Sequence, residues 1–197
     1  MVDKILVYCY LNNITPILVI NKIDIAKEEF LDRVYKAYSA YLKIIKVSAK
    51  NDYLEDIEDE IDGICALAGQ SAVGKSSIIN AIFKDNKTEI GSLSKKIERG
   101  KQTTRVVQLY KIGKGYLADT AGFSMLDLGM VSNIEKDELS AYYPDFLEAR
   151  SHCKYRSCLH ELGDCGIIKF VKEGKISKNR YENYIKLLNE LKQIKKY

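Results

Sequence analysis

Long apolar stretches are absent from this sequence of 197 residues. No run reaches about 18 apolar residues, which is close to the length that a membrane-spanning helix needs. The first residues, Met1–Ile5, lack the charged, apolar and small-residue order of a secretion signal, and no internal repeat or low-complexity linker occurs. These absences argue against a membrane-spanning, secreted or repeat protein. We therefore expect a cytoplasmic protein with no membrane partner.

The sequence does contain enough apolar material for one ordinary domain and a small appendage. Apolar residues make up 46% of the chain, which suffices for a packed core. The net charge of +4 is unevenly placed, because residues 145–197 hold 12 Lys/Arg and only 7 Asp/Glu. Such a basic region is either a solvated helix face or a surface that attracts a phosphate backbone. Composition alone leaves both interpretations open.

Short apolar runs alternate with amphipathic segments along most of the chain. This alternation predicts an α/β fold with a mostly parallel sheet, interrupted by a polar loop over 84–105. Helices are predicted over 2–11, 27–43, 54–62, 76–83 and 178–195, and strands over 17–20, 44–47, 64–68, 106–112 and 116–118.

A phosphate-binding loop is predicted where the strand at 64–68 gives way to a helix. Residues 69–76 read Gly-Gln-Ser-Ala-Val-Gly-Lys-Ser, which fits the pattern G-x-x-x-x-G-K-[ST]. In such a loop, backbone N–H groups and the helix N-terminus hold the phosphates. Lys75 would reach the β- and γ-phosphates as a catalytic group, and Ser76 would ligate Mg²⁺. The competing interpretation is a plain glycine-rich connector, but the strand–turn–helix setting favours the phosphate loop.

A guanine-recognition segment is predicted at residues 21–24, which read Asn-Lys-Ile-Asp. The Asp24 carboxylate can accept two hydrogen bonds, one from guanine N1–H and one from its exocyclic amine, whereas adenine cannot donate that pair. Because an unpaired buried carboxylate is costly, this segment favours GTP over ATP. Residues 48–50, Ser-Ala-Lys, follow a predicted strand and could offer backbone N–H groups to the guanine carbonyl.

A further Mg²⁺ and phosphate contact is predicted after the strand at 116–118. Residues 119–122 fit D-x-x-G, which would place Asp119 near Mg²⁺ and the Gly122 N–H near the γ-phosphate, although alone this pattern is usually a turn. The predicted nucleotide-binding residues are therefore Asn21, Lys22, Asp24, Ser48, Ala49, Lys50, Gly69, Gln70, Ser71, Ala72, Val73, Gly74, Lys75, Ser76, Ser77, Asp119 and Gly122.

The loop between these motifs carries candidate catalytic side chains. Thr103 or Thr104 could complete the Mg²⁺ shell only when the γ-phosphate is present, which is how a nucleotide switch works. Phe123 stands where many regulatory GTPases carry the glutamine that positions water. Gln102 has the chemistry to orient a water in its place. The alternative is that Gln102 is an ordinary exposed loop residue.

A metal site is predicted near the C-terminus, where three thiols and one imidazole fall within a short stretch: Cys153, Cys158, His160 and Cys165. In a cytoplasmic protein such a cluster is more often a set of metal ligands than a pair of disulfides. A closed tetrahedral set suits structural zinc, so we expect one Zn²⁺ per chain. Scattered buried thiols are the alternative. His152 is a possible competing ligand, although its position beside Cys153 makes simultaneous binding awkward.

Together, these motifs resemble the RsgA family, also called YjeQ, of GTPases that depend on the small ribosomal subunit. Most GTPases carry the phosphate loop first and the guanine segment last, and the order is reversed here. Segments 139–146 and 174–184 resemble parts of the family's zinc domain. The resemblance implies a three-layer, circularly permuted P-loop GTPase fold over residues 1–138 and a small helical zinc-binding domain over 139–197.

The resemblance also implies a function. It implies hydrolysis of GTP to GDP and phosphate, with Mg²⁺ bound alongside GTP, late in the maturation of the small ribosomal subunit. The subunit and its rRNA would be the partners, and the subunit would stimulate hydrolysis. The complete protein is expected to be a monomer.

Several features depart from the family pattern. The family's N-terminal OB-fold domain and the first strand of its GTPase domain are absent, which suggests a fragment or a mis-set start codon. Gln102 corresponds to the family's usual histidine in the switch loop, Ala121 replaces the usual proline, and the spacing from His160 to Cys165 is one residue short. The alternative function is therefore a truncated or non-catalytic GTP- or RNA-binding module that retains the zinc domain.

Overall fold

The computed structural model describes residues 1–51, 53–85, 108–119 and 134–193. The chain divides into two compact units. Unit 1 comprises residues 1–18, 27–44 and 126–197, and unit 2 comprises residues 19–26 and 45–125. The division at residue 138 drawn from the sequence stays a prediction. Within the described ranges, no helix combines the length and the apolar character that crossing a membrane would require.

Helices and strands follow one another up to residue 119, and the elements within the described residues 134–193 are all helical. The strands are β1 (Ile17–Ile20), β2 (Lys43–Lys46), β3 (Ile64–Ala66), β4 (Gln108–Ile112) and β5 (Gly115–Asp119). The helices are α1 (Val2–Leu11), α2 (Glu28–Tyr38), α3 (Glu55–Asp59), α4 (Lys75–Asp85), α5 (Leu147–Arg150), α6 (Gly166–Lys172) and α7 (Lys178–Gln193), with 3₁₀ turns at Leu139–Tyr142 and Pro144–Phe146.

Helix α2 ends earlier than the sequence predicts. The predicted helix runs over 27–43, but α2 stops at Tyr38, and a turn follows in which the Leu42 N–H donates to the Tyr38 carbonyl at 3.0 Å. The next residues are taken into β2, where the β-branched pair Ile44 and Ile45 has a better fit in a pleated strand than in a helix.

The sheet containing the predicted phosphate-loop strand has the order β3-β5-β4, and β1 pairs separately with β2. Strand β3 runs parallel to β5, with Ala66 opposite Ala118, whereas β4 runs antiparallel to β5, with Ile112 opposite Gly115. The predicted parallel pairing is found between β3 and β5, and β4 is an antiparallel strand beside them. Only two residues connect β4 to β5, and a parallel pair would need a crossover of about a dozen or more.

Unit 1 is built around an aromatic cluster. The rings of Tyr143, Phe146 and Tyr184 lie 4.9–5.3 Å apart between centroids, and each side chain is fully buried. Val7 of α1 and Leu188 of α7 pack into the same cluster. Residues from both ends of the chain therefore share one core.

Candidate functional site

The residues predicted to hold phosphate lie between β3 and α4 and in the first turn of α4, as the motif requires. Gly74 adopts φ +97°, and a Cβ at this position would fall onto the amide nitrogen of Asn21. Glycine is favoured there, because the backbone conformation is strained for other residues and a side chain would have to displace the Asn21 amide. The loop is therefore shaped by its contact with the segment predicted to recognise guanine.

Lys75 begins α4 and folds its ammonium group back over the loop. Its Nζ donates to the carbonyls of Gly69 and Gln70, at 2.8 Å each. Ser76 and Ser77 follow in the first turn of α4, and both are exposed. An exposed helix N-terminus with a cation at its mouth is an arrangement that binds anions such as phosphate.

Asn21 joins three of the predicted binding segments. Its Oδ1 accepts from the backbone N–H groups of Lys22 at 2.8 Å and Ala49 at 3.3 Å, and its Nδ2 donates to the carbonyl of Val73 at 3.2 Å. The Lys22 Nζ donates to the Ala72 carbonyl at 3.2 Å. The guanine segment, the segment at 48–50 and the phosphate loop are thus brought together within unit 2.

Asp24 has one of its oxygens engaged. The Ser48 hydroxyl, which is buried, donates to Asp24 Oδ1 at 2.8 Å. Asp24 itself is exposed, as is Lys50 at the end of the neighbouring segment. This hydrogen bond orients a carboxylate that remains accessible to a ligand.

Ala72 and Lys22 both adopt positive φ, +64° and +63°, an uncommon backbone conformation for residues with side chains.

Asp119 ends strand β5 on the side of the phosphate loop. Because β3 and β5 are parallel and Ala66 lies opposite Ala118, their carboxyl ends share one edge of the sheet. Ligands of open α/β sheets bind at this edge. The other candidates in this part of the chain, Gln102, Thr103, Thr104 and Gly122, lie outside the described residues.

The four predicted metal ligands are brought together in unit 1. One ligand atom from each of Cys153, Cys158, His160 and Cys165 lies within 4.8 Å of the others. The Sγ atoms of Cys153 and Cys165 are 3.8 Å apart, and they lie 3.5 and 3.4 Å from His160 Nδ1. Tetrahedral zinc, with bonds of about 2.3 Å to sulfur and 2.05 Å to nitrogen, requires edges of about 3.8 and 3.6 Å. The three edges among Cys153, His160 and Cys165 therefore match tetrahedral coordination, and Cys158 lies close enough to supply the fourth ligand.

The second ring nitrogen of His160, Nε2, contacts a protein hydroxyl group and not the cysteine sulfurs. His160 Nε2 lies 3.0 Å from the buried Ser140 Oγ, which fixes the ring so that Nδ1 points toward the three sulfurs. Burial, helped by the charge of Arg150, lowers the pKa of His160 to about 4, so the imidazole is neutral as a ligand must be. Burial also raises the pKa of the Cys165 thiol to about 12, so metal binding there must release a proton.

The residues that support the metal cluster carry no recognisable signal in the sequence. Besides Ser140, the hydroxyl of Tyr181 donates to the His160 carbonyl at 2.8 Å, and that of Tyr184 donates to the Leu159 carbonyl at 3.1 Å. These residues lie at least 20 positions from their partners. Their hydroxyls carry no motif, and a tyrosine at helical spacing in α7 is as easily a core residue.

Comparisons with known proteins agree on one family. The profile of the RsgA GTPase family matches residues 1–129. A protein of Clostridium kluyveri named small ribosomal subunit biogenesis GTPase RsgA is 38% identical over 201 residues, covering 100% of this chain and 69% of that protein. A protein of the same name from Thermotoga neapolitana is 39% identical, with 97% of this chain and 65% of that protein covered.

Two solved structures are also similar. YjeQ from Thermotoga maritima has a TM-score of 0.77 and 34% identity, covering 98% of this chain and 66% of its own. YloQ, described as a circularly permuted GTPase, has a TM-score of 0.77 and 31% identity, covering 100% and 64% respectively. The chain thus spans about two thirds of the length of these relatives.

Proposed function

This chain belongs to the RsgA GTPase family, and from that premise we propose that its GTP hydrolysis serves late maturation of the small ribosomal subunit. Its fold is that of a circularly permuted GTPase, which confirms the prediction from motif order. The observation that carries the proposal is the position of Asn21. Its side-chain amide forms a hydrogen bond to the phosphate loop on one side and to the segment at 48–50 on the other.

The proposed site divides the ligand between two groups of residues. Asp24, oriented by Ser48, takes the guanine N1–H and amine, and residues 69–77 hold the phosphates with their backbone N–H groups. Lys75 exchanges its carbonyl partners for phosphate oxygens. Ser76 and Asp119 are the proposed Mg²⁺ ligands, and Mg²⁺ would neutralise charge on the transferring phosphoryl group.

The residues that act on the attacking water are proposed from sequence. Gln102 is the proposed water-orienting group, and Thr103 or Thr104 completes the Mg²⁺ shell when the γ-phosphate is present. Replacing Gln102 by Ala should lower kcat about tenfold or more and leave GTP affinity nearly unchanged, the result expected when an interaction is made mainly in the transition state.

The Cys₃His cluster is proposed to hold one structural Zn²⁺, because four protein ligands leave no open position for chemistry. The proposed partners are GTP and GDP, the small ribosomal subunit and its rRNA, in the cytoplasm and with no membrane. We propose that the complete protein acts as a monomer. The relatives' name, small ribosomal subunit biogenesis GTPase, supports the small ribosomal subunit as a partner.

GTP turnover measured with and without small ribosomal subunits tests the proposal. We expect subunits to stimulate turnover and Lys75→Ala to abolish it, while Asp24→Asn loses the preference for GDP over ADP in binding. Lys114→Ala, which removes an exposed cation from the β4–β5 turn, is the control and should behave as wild type. Binding of GDP with no turnover under either condition would instead favour a non-catalytic GTP-binding module.

A further inference from the structure

A cavity of about 400 Å³ opens beside the metal cluster in unit 1. Of the four cluster residues, Cys153 and His160 line this cavity, and Cys158 and Cys165 do not. Cys153 is partly exposed, whereas Cys165 is only 4% exposed. The cavity therefore offers a small molecule in solution a route to the cluster, and Cys153 is the cysteine on that route.

The cavity also carries positive charge. Arg150, Lys154 and Arg156 line it and no carboxylate does. None of these three cations forms an ion pair with a residue that the structure describes. Partly exposed cysteines in electropositive surroundings are the ones that react with oxidants, whereas enclosed structural cysteines are inert. Cys153 has the surroundings of a reactive cysteine.

A second cysteine lies beside Cys153 inside the cluster. The Sγ atoms of Cys153 and Cys165 are 3.8 Å apart, although the two residues are 12 positions apart in the chain. Oxidation-sensitive sites pair an accessible cysteine, which is oxidised first, with a neighbouring cysteine that then forms a disulfide with it. The accessible Cys153 and the enclosed Cys165 have this arrangement.

We propose that the cluster is a peroxide-sensitive zinc switch, in which Cys153 is oxidised first and Cys165 completes a disulfide. The Cys153 thiolate attacks one oxygen of hydrogen peroxide, the O–O bond breaks, hydroxide leaves and the sulfur becomes a sulfenic acid. The Cys165 thiolate then attacks the Cys153 sulfur, so that an S–S bond forms, the S–O bond breaks and a second hydroxide leaves. The two cysteines lose two electrons, the peroxide gains them, and protons from solvent convert both hydroxides to water.

The disulfide removes two of the four ligands, so zinc is released. The inference rests on the proposed zinc site and adds a chemical signal that empties it. Two contacts of the ligand loop do not depend on sulfur: the Tyr181 hydroxyl donates to the His160 carbonyl at 2.8 Å, and the Tyr184 hydroxyl donates to the Leu159 carbonyl at 3.1 Å. Because these contacts hold the loop against α7, reduction of the disulfide should allow zinc to bind again.

The test treats the full zinc-loaded chain with a molar excess of hydrogen peroxide and follows zinc release with a chromogenic chelator. We expect all of the bound zinc to be released as two of the five thiols are lost. Peptide mapping by mass spectrometry should find a disulfide between Cys153 and Cys165. Dimedone, which traps sulfenic acids, should label Cys153. Dithiothreitol with added zinc should restore the original zinc content.

Variants outside the ligand set provide the comparison, because substituting a ligand would itself remove zinc. Lys154→Ala combined with Arg156→Ala should slow zinc release severalfold, since these cations no longer stabilise the charge on the leaving hydroxide. Lys172→Ala removes an exposed cation of α6 outside the cavity and should release zinc at the wild-type rate. Cys9→Ser, which alters a cysteine outside the cluster, should also behave as wild type. The zinc content of each variant is measured before peroxide is added.

Several outcomes would overturn the inference. These are zinc retained in excess peroxide, a disulfide that includes Cys158, dimedone labelling at Cys165, equal release rates in the double variant and wild type, or zinc content that reduction does not restore. Any of them, found in protein that starts with zinc and hydrolyses GTP, removes this inference alone. Protein purified without zinc removes the zinc site and this inference together. Absent GTP turnover in zinc-containing protein removes the proposed hydrolysis and leaves the switch standing.

Discussion

The two units treat polar side chains in opposite ways. Unit 1 buries Asp3, Ser140, His160 and Arg180, and each of them meets another protein group. In the described part of unit 2 the buried polar side chain is Ser48, while Asp24 and several others of the predicted ligand-binding residues are exposed. Polar groups in unit 1 are therefore enclosed by their protein partners, whereas Asp24 and Lys22 in unit 2 are held by hydrogen bonds and are still exposed at the surface.

The apolar cores differ as well. The buried apolar residues in the described part of unit 2 are all aliphatic, as is usual where helices cover a sheet. Unit 1 instead buries Tyr143, Phe146 and Tyr184. Tyr184 combines an apolar ring in this core with a hydroxyl group that donates to the Leu159 carbonyl beside the metal cluster, so one side chain serves both the core and the cluster.

Arg180 is the centre of the buried charges in unit 1. Its guanidinium donates to both oxygens of Asp145, at 2.9 and 3.3 Å, and forms a second ion pair with Asp3. The rings of Tyr41 and Tyr143 lie 4.9 and 4.4 Å from its central carbon. One guanidinium group thus pairs with two carboxylates and is flanked by aromatic rings.

Removing the metal should have the largest effect, and unit 1 should respond to it before unit 2 does. Apparent zinc-binding free energies in zinc-finger peptides reach about 10–16 kcal/mol and are coupled to folding. We expect a chelator to abolish hydrogen-exchange protection in residues after 145 before it changes GDP affinity. Cys165→Ser should abolish the same protection. Cys9→Ser, which alters a cysteine outside the cluster, is the control. Purified protein without zinc, or protection unaffected by chelation, would contradict the expectation.

The second largest effect should come from Arg180→Met, which leaves Asp3 and Asp145 buried without a cation. Breaking a buried ion pair by removing one partner costs about 3–5 kcal/mol. Urea unfolding of the zinc-loaded protein measures the loss, and Lys178→Met, at an exposed position on the same helix, should change stability by less than about 0.5 kcal/mol. A loss below about 1 kcal/mol in Arg180→Met would show that the pair contributes little.

The parts of the molecule predicted from sequence are those whose chemistry fixes residue type and spacing. Phosphate binding requires glycine, lysine and serine at set positions between a strand and a helix, and β3 and α4 supply that setting. The four metal ligands also follow from spacing, since thiols and imidazoles rarely gather without a metal. These signals are local, so a single pass along the chain detects them.

Contacts between distant segments could not be predicted in this way. Asn21 and Val73 are 52 positions apart, and Asp3 and Asn183 are 180 apart. Asp3 lies in the first turn of α1, where an acidic residue is favoured by the helix dipole alone. Nothing in the sequence shows that it is buried against Arg180. The antiparallel direction of β4 was also missed, because predicting it depends on recognising the hairpin turn at Gly113.

Gly74→Ala should have a smaller effect, confined to unit 2. A Cβ would meet the Asn21 amide. In addition, alanine at this positive φ would adopt a backbone conformation that costs about 1–3 kcal/mol. We expect GDP affinity to fall about ten- to a hundredfold. Gly63→Ala is the matched control, because it has positive φ but open space around the new Cβ. If the two variants bind GDP equally well, the contact between the phosphate loop and Asn21 has no role in nucleotide binding.

The last expected effect is the most gradual, a pH dependence of unit 1 that depends on Asp145. Asp3 and Asp145 compete for one guanidinium, and Asp3 also accepts hydrogen bonds from Tyr38 and Asn183. Burial raises the pKa of Asp145 to about 7, whereas its value in the unfolded chain is about 3.9. The folded state therefore holds a proton that the unfolded state releases, so stability should fall as pH rises through this window and level off above about 7.

The slope should not exceed about 1.4 kcal/mol per pH unit, the value for one proton. Asp145→Asn removes the titrating group, so the stability of wild type minus that of the variant isolates it from other groups. Urea unfolding of both zinc-loaded proteins between about pH 5.5 and 7.5 measures the difference, which should decrease with rising pH. A difference that stays constant over this range would mean that Asp145 is ionised throughout and that Arg180 holds its pKa well below 7. The buried charges of unit 1 would then form a fully ionised cluster, and its structural role would not depend on pH in this range.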